Sequence, residues 1–246
     1  MRIIISPAKK MREDRDSLPV QGLPAYLQQT RRLLHTMRQM SEGELQALWK
    51  CNDQITRLNL LRLADMDLER ALTPALLSYE GIQYQYMGPR VLEQGALDYL
   101  QQHLRILSGF YGLLRPMDGV TPYRLEMGAK LSVDGGRDLY GFWGSQLAET
   151  LAGETDVVLN LASKEYSRAV QPHLPKGVHF VSCTFGEEQG GKVVEKGTMC
   201  KMARGEMVRW LAENRIQSLR QIAQFDGLGY QFSKAHSDEN QYTFIR

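Results

Sequence analysis

The chain begins with MRIIISP, residues 1–7, and this segment is the strongest local indication of the fold. Ile3, Ile4 and Ile5 form a β-branched run that Pro7 ends, which is typical of a buried strand. Strands that are buried on both faces occur mainly in parallel sheets covered by helices. We therefore predict that residues 3–5 form an interior strand of an α/β sheet.

Helical and extended patterns alternate along the rest of the chain. Apolar periodicity predicts helices over 24–40 and 199–214, and Ser41 with Glu44 forms a capping-box pattern at the start of another helix. Apolar runs predict a strand at 157–161, a hairpin over 178–195 and a last strand at 242–245. We find no repeat and no linker, so we predict one domain, residues 1–246, with a mixed sheet flanked by helices.

Composition narrows the classes of protein. The 246 residues are 43% hydrophobic and 24% charged, as in an ordinary globular protein, and the net charge of +2 is too small for a polycationic binder. Three cysteines are too few and oddly numbered for a disulfide framework. No stretch approaches a signal peptide or the roughly 18 apolar residues of a membrane span. We therefore expect a cytoplasmic protein with no membrane partner.

Several catalytic and binding motifs are absent. The sequence has no G-x-x-x-x-G-K-[ST], G-x-G-x-x-G or G-x-S-x-G pattern. Its five histidines are scattered, and its cysteines lack C-x-x-C spacing. We therefore predict no cofactor and no metal site.

Polar residues follow two of the predicted strands. Ser6 and Lys9 come after the first strand, and the segment after residue 159 contains Asn160, Ser163, Lys164 and Glu165. Ligands of open α/β sheets bind at the carboxyl ends of the strands, so these residues are candidates for a site. The alternatives are a solvated charged loop after the first strand and a capped surface turn after the second.

Two further segments place charged residues on one face. Arg124 and Glu126 lie on the same side of an extended segment, where they would line a pocket or form an internal ion pair. Lys201 and Arg204 project together from a helix opposite its apolar stripe, which suits phosphate or a solvated basic face. Cys200 precedes these cations, which favour a lowered thiol pKa, although a cysteine in a helix is more often simply buried.

The segment Leu104–Pro116 contains a glycine-bearing turn between apolar residues. It resembles the hairpin of a helix-hairpin-helix module, which binds phosphate through backbone N–H groups, here near Gly109 and Gly112. Arg105 and Arg115 would assist. The two glycines are three residues apart, whereas the usual hairpin has them two apart, and an ordinary turn is the alternative.

These segments, taken in order, resemble the YaaA peroxide-stress family of bacteria. The matching segments span nearly the whole chain: 5–9, 107–116, 122–128, 138–144, 160–166 and 201–205. The resemblance implies a cytosolic protein that protects cells under hydrogen peroxide stress and helps limit unincorporated intracellular iron. It also implies an unusual α/β architecture and a helix-hairpin-helix-like element with affinity for DNA, which we place around Leu104–Pro116.

Our leading hypothesis is a DNA-binding stress protein with a basic cleft that recognises DNA structure rather than sequence. The predicted nucleic-acid-binding residues are Lys9, Arg105, Gly109, Gly112, Arg115, Arg124, Lys164, Lys201 and Arg204. The alternative is an enzyme that acts on a nucleotide or another phosphorylated small molecule. Its predicted pocket residues are Ser6, Arg124, Glu126, Asn160, Ser163, Lys164 and Glu165, with Arg204 beside them.

The shape of the site would distinguish the two hypotheses. A deep pocket would favour the enzyme, and an open groove about as wide as a duplex would favour DNA. Direct iron sequestration is a third hypothesis, which the scattered histidines argue against. We favour a monomer, although nothing in the sequence decides the oligomeric state.

Overall fold

A computed structural model describes all residues, 1–246. It contains twelve strands of two to eleven residues. In chain order they are β1 (Arg2–Ile5), β2 (Lys10–Met11), β3 (Thr73–Pro74), β4 (Tyr79–Glu80), β5 (Leu104–Ser108), β6 (Gly112–Leu114), β7 (Gly119–Val120), β8 (Val157–Asn160), β9 (His179–Gln189), β10 (Lys192–Val194), β11 (Gln231–Phe232) and β12 (Gln241–Ile245).

Eleven α-helices connect these strands. They are α1 (Leu27–Arg38), α2 (Glu42–Trp49), α3 (Asp53–Asp65), α4 (Ala75–Ser78), α5 (Ile82–Met87), α6 (Gln94–His103), α7 (Leu139–Trp143), α8 (Gln146–Glu154), α9 (Lys164–Ser167), α10 (Gly197–Glu213) and α11 (Leu219–Ile222). Short 3-10 turns lie at 89–91, 171–173, 227–229 and 234–236. None of the helices combines the length and the apolar character that are needed to cross a lipid bilayer.

The main sheet is mixed, with strand order β6-β5-β1-β8-β9-β12-β11. Its five inner strands are parallel, and the edge strands β6 and β11 are antiparallel to their neighbours. Strand β10 forms a hairpin with the far end of β9. The mixed sheet flanked by helices that the sequence predicts is thereby confirmed.

Strand β1 lies in the interior of the sheet, as predicted. Ile3 pairs with Leu104 of β5 on one side and with Leu159 of β8 on the other. Ile3, Ile4 and Ile5 have no exposed surface, because both faces of the sheet are covered. The β-branched run therefore forms the centre of the hydrophobic core.

Helix α10 is the longest helix, and it packs against α5, α6 and β9. The predicted capping box is present at α2, where the Ser41 side chain accepts a bond from the Glu44 N–H group and Glu44 bonds back to Ser41. Residues 139–151, whose apolar pattern alone predicts one amphipathic helix, form two helices, α7 and α8. They are separated at Gly144, whose backbone has φ +49° and ψ −131°.

The segment Leu104–Pro116 differs from its prediction. It contains an antiparallel pair, β5 and β6, joined by a tight turn over 109–111, with Ser108 opposite Gly112. A helix-hairpin-helix element is not confirmed. Residues 104–108 complete an interior strand of the sheet, and their pairing with β1 leaves the hairpin no freedom to stand apart as a binding module.

Candidate functional site

A cavity of about 540 Å³ opens at the carboxyl ends of β1 and β8. We call it the central cavity. Its lining residues come from five separate segments: 6–10, 80–84, 123–126, 163–166 and 201–204. From β1 the chain crosses towards β5, whereas from β8 it crosses towards β9 on the opposite side. The cavity therefore lies at the point where the connections diverge, which is where open α/β sheets bind ligands.

Hydrogen bonds hold the two loops at the base of this cavity. Ser6 Oγ accepts from the Ser163 N–H group at 2.9 Å and lies 3.2 Å from Ser163 Oγ. The Tyr84 hydroxyl donates to the Ser6 carbonyl at 3.0 Å. Polar residues after each strand thus tie the ends of β1, β8 and helix α5 together.

Each carboxylate of the central cavity already has a partner. Glu126 Oε1 lies 2.8 Å from Lys9 Nζ, and Glu80 Oε2 lies 3.0 Å from Lys10 Nζ. Glu165 Oε1 accepts from the N–H group of Gly128 at 2.8 Å. A carboxylate in an anion-binding cavity is tolerated when a cation or an N–H group compensates it, so these three do not by themselves require catalytic chemistry.

Three cations of the central cavity have much less compensation. Arg204 is only 17% exposed, its Nε is buried without a hydrogen-bond partner, and its Nη2 lies 3.8 Å from Glu195 Oε1. Lys201 has no carboxylate within 4.0 Å. Arg124 makes one side-chain hydrogen bond, from Nε to the Trp49 carbonyl at 3.2 Å. These cations retain donors for an anionic ligand.

A close helix crossing places Arg204 beside a second residue with unused donors. A Cβ at Gly205 would collide with the carbonyl oxygen of Gln83, so glycine is required where α10 meets α5. Gln83 is 8% exposed and is one of the residues that line the central cavity, and its Nε2 is buried without a partner. Unpartnered buried polar groups are costly, and a ligand would satisfy them.

Three buried tyrosines complete the wall of the central cavity. Burial raises the pKa of Tyr84, Tyr123 and Tyr166 well above the usual range, and the proximity of Tyr123 adds to the effect on Tyr84 and Tyr166. Their hydroxyls are therefore neutral across the physiological pH range. They offer aromatic surface and hydrogen bonds without adding negative charge to a cation-lined site.

The structure brings eight of the predicted residues together in the central cavity. They are Ser6, Lys9, Arg124, Glu126, Ser163, Glu165, Lys201 and Arg204. Asn160 and Lys164 do not line it. The Asn160 side chain donates to Ser182 Oγ and accepts from the Ala162 N–H group, which holds the loop after β8. Lys164 is exposed on the surface.

Arg105 and Arg115 lie in a different place, near the amino ends of β1 and β5. We call this group, together with Arg2, Asp118 and Glu154, the amino-end cluster. Arg2 and Arg105 both reach Glu154 Oε2 at 2.8 Å, and Arg105 Nη1 also donates to the carbonyl oxygens of three residues of its own segment. Arg115 is exposed, at a turn where its N–H group donates to Asp118 Oδ2.

Gly109 and Gly112 lie in the interior. The Gly109 carbonyl accepts from the Trp143 ring nitrogen at 3.1 Å, and a Cβ on Gly109 would collide with the backbone at Leu125 and Glu126. Gly112 has φ +75° and faces the Trp143 ring. The two glycines allow close packing of the hairpin, and both residues are buried.

The pKa of the Cys200 thiol is raised, whereas the neighbouring cations in the sequence favoured a lowered one. Burial raises the pKa of Cys200 to about 11, and the negative charge of Glu195 adds to the effect. The thiol donates to the Phe185 carbonyl at 3.2 Å. The thiol is therefore protonated at neutral pH, and it packs as a buried side chain.

Sequence reasoning did not identify Gln83 and Tyr84 as parts of the site, whereas Tyr123 and Tyr166 were candidates for stacking against a ligand. Aromatic residues and glycine alternate over 79–89, a pattern that is typical of a strand or of irregular structure, but the segment contains β4 and helix α5. A single glutamine carries no local signal. The detectable signal is Gly205, since a glycine inside a helix often marks a close packing contact. No group of three or more His, Cys, Asp or Glu side chains is arranged to hold a metal ion.

Comparisons with known proteins agree over the whole chain. A family model described as peroxide stress protein YaaA matches residues 1–236. A UPF0246 protein of Lachnoclostridium phytofermentans is 52% identical over 246 residues, which cover 100% of this chain and 96% of the relative. UPF0246 proteins of Agathobacter rectalis and Desulfitobacterium hafniense are 49% and 48% identical, with 100% of this chain and 99% and 98% of each relative covered.

Proposed function

Because the chain belongs to the peroxide stress protein YaaA family, we propose that it acts in peroxide stress by binding a phosphorylated small molecule in the central cavity. The observation that carries the proposal is Arg204, a mostly buried guanidinium with no hydrogen bond and no carboxylate nearer than 3.8 Å. An isolated buried charge is strongly unfavourable, and a phosphate is the anion that a guanidinium fork fits best.

The dimensions of the cavity support the same proposal. Its volume of about 540 Å³ falls within the range of small-molecule sites, about 300–1,000 Å³. Among the two sequence hypotheses, the phosphorylated small molecule is therefore favoured over duplex DNA as the direct ligand of this cavity.

The test is a calorimetric titration with ribose 5-phosphate and with nucleoside monophosphates at several salt concentrations. We expect saturable binding that weakens as salt rises, because charged groups make the main contacts. Arg204→Met should weaken binding by about 10–100-fold, since a hydrogen bond to a charged group contributes about 1.5–3 kcal/mol. Arg220→Met is the matched control, because Arg220 is an exposed helical arginine outside the cavity lining. Absence of saturable binding would contradict the proposal.

A nucleic-acid strand is the second candidate ligand, and a neighbouring cavity favours it. This cavity of about 390 Å³ shares Lys10, Glu80 and Tyr84 with the central cavity and adds Arg12 and Arg90. Lys10 is paired with Glu80, and Arg12 and Arg90 are paired with Asp14, so a phosphate would share these cations with a carboxylate. The two adjoining cavities still provide positions for more than one phosphate of a strand. DNA binding thus stays a prediction, without the interior residues Arg105, Gly109 and Gly112.

The DNA candidate is tested by titrating single-stranded, duplex and branched DNA at rising salt. Affinity should fall linearly on a double logarithmic plot and weaken in an Arg124→Ala/Lys201→Ala variant. Affinity that is indifferent to salt, or unchanged in that variant, would exclude it. The limitation of intracellular iron that the family implies also stays a prediction, tested by measuring unincorporated iron in cells that lack the protein under peroxide.

A further inference from the structure

We propose that the phosphorylated ligand of the central cavity carries a nucleobase, and that Gln83 reads the hydrogen-bonding edge of that base. This inference rests on the proposed phosphate site and specifies the class of its ligand. It assigns a recognition role to a residue that lies outside the charged motifs.

The first ground is the state of the Gln83 amide. A glutamine amide carries two donors and an acceptor, and the Gln83 side chain is about nine-tenths buried with its Nε2 unpartnered. The other buried polar side chains around the cavity are used: Tyr84 bonds to Ser6, and Tyr123 bonds to Ser108 and Tyr79. Gln83 is therefore the neutral group of the wall that has hydrogen-bonding capacity to spare.

The second ground is how the position of Gln83 is enforced. Its carbonyl abuts Gly205, so a shift of helix α5 would separate α5 from α10 and move the amide away from Arg204. The cavity thus places an amide with an unpartnered Nε2 and a guanidinium with an unpartnered Nε on adjoining elements. A nucleotide has the matching pair of groups, since its base offers a donor next to an acceptor and its phosphate is anionic.

The third ground is the aromatic surface that accompanies the amide. Tyr84, Tyr123 and Tyr166 line the cavity, and all three are more than nine-tenths buried. Aromatic side chains provide flat apolar contacts that favour a planar base and have no counterpart in a phosphorylated sugar. A sugar phosphate would leave both these faces and the Gln83 amide unused.

The experiment compares inorganic phosphate, ribose 5-phosphate and the monophosphates AMP, GMP, CMP and UMP by calorimetry. We expect at least one nucleotide to bind about tenfold or more tightly than ribose 5-phosphate. Gln83→Met keeps the length of the side chain and removes the amide. It should remove most of that preference and leave the affinity for ribose 5-phosphate unchanged. Gln28→Met is the matched control, because Gln28 is an exposed glutamine of helix α1 that lies outside both cavities.

The outcomes separate this inference from the proposed function. If ribose 5-phosphate binds as tightly as every nucleotide, the phosphate site stands and the nucleobase inference is overturned. Equal weakening of ribose 5-phosphate and nucleotides in Gln83→Met also overturns it, since the amide would then act on the phosphate or on folding. Thermal unfolding of each variant distinguishes these two causes. If no phosphorylated compound binds, the proposed function itself fails.

Discussion

Arginines lie at both ends of the parallel strands, but their hydrogen bonding differs between the two ends. At the amino-end cluster, Arg105 is 4% exposed and shares Glu154 with Arg2, and its remaining donors reach backbone carbonyls. At the central cavity, Arg204 is 17% exposed and makes no hydrogen bond. Arg105 is buried and Arg204 is mostly buried, yet only Arg204 has donors left for a ligand. Unused hydrogen-bonding capacity, rather than charge, distinguishes a binding site from an internal ion pair.

Replacement of Glu154 is expected to give the largest effect on stability. Glu154→Ala leaves the buried guanidinium of Arg105 without its carboxylate, which typically costs about 3–5 kcal/mol. The free energy of unfolding in urea measures the loss. Glu149→Ala, an exposed change on the same helix, should stay within about 0.5 kcal/mol of the wild type. If Glu154→Ala is equally mild, the amino-end cluster is not the internal ion pair that the comparison requires.

The matching change at the central cavity should not lower the free energy of unfolding. Arg204→Met removes a mostly buried charge whose one ion-pair partner, Glu195, lies 3.8 Å away, so the free energy of unfolding should be unchanged or about 1 kcal/mol higher. The same variant should lose ligand binding about 10–100-fold. Urea unfolding and calorimetry on one preparation measure both. A fall in stability comparable to that of Glu154→Ala would remove the distinction between the two ends.

The amino-end cluster should also make stability depend on pH. Burial raises the pKa of Asp118 to about 6, whereas an unfolded Asp has a pKa of about 3.9. The folded state therefore binds the proton more tightly, so the contribution of Asp118 is fully present below about pH 4 and is lost as pH rises through about 6. The loss should be on the order of 1–3 kcal/mol.

The control for this prediction is Asp118→Asn, which keeps an acceptor for the Arg115 N–H group and does not titrate. Urea unfolding at pH 4, 5, 6 and 7 gives the wild-type and variant curves. Their difference isolates Asp118 from the other titrating groups. Parallel curves over this range would show that Asp118 carries no raised pKa, and the two ends of the strands would then not differ in this respect.

The smallest expected effect belongs to an exposed cation of the central cavity. Lys201→Ala should weaken ligand binding by less than about fivefold, because an exposed charge contributes at most about 1 kcal/mol. The loss should shrink further at high salt. Lys176→Ala, which is exposed and outside the cavity lining, should change nothing. A loss at Lys201 as large as that at Arg204 would mean that exposure does not rank these cations.

Local patterns were sufficient to predict the interior strand, the two sheet-ending loops and the α10 cations. Ile3 to Ile5 are consecutive apolar residues, and Ser6 and Ser163 directly follow strands, so each signal lies within a few residues. The fate of Arg105 depends on Glu154, 49 residues further along the chain, and no local pattern contains that partner. Likewise, the local sequence around Gly109 and Gly112 is compatible with a phosphate-binding turn. Only the structure shows that Trp143 packs against both glycines.

The unpartnered amide of Gln83 could not be predicted from the sequence for the same reason. Its lack of a partner follows from where α5 crosses α10, and that crossing is set by the absence of a side chain at Gly205. A sequence shows which donors exist, whereas only the packed structure shows which of them remain unused. The local pattern accordingly identified the charged residues and the serines that follow strands, whereas Gln83 came from the structure.

The central place of β1 has a consequence for synthesis of the protein. Ile3 is synthesised well before its partners Leu104 and Leu159, which lie far along the chain. At about 5–20 residues per second, the ribosome leaves this isoleucine run unpaired for several seconds or more. The last segment of the central cavity, residues 201–204, is completed only when most of the chain has been made. Chains that end before residue 201 would therefore lack part of the central cavity and would not bind its ligand. Chains that end before Leu104 would also leave the aggregation-prone strand β1 unpaired.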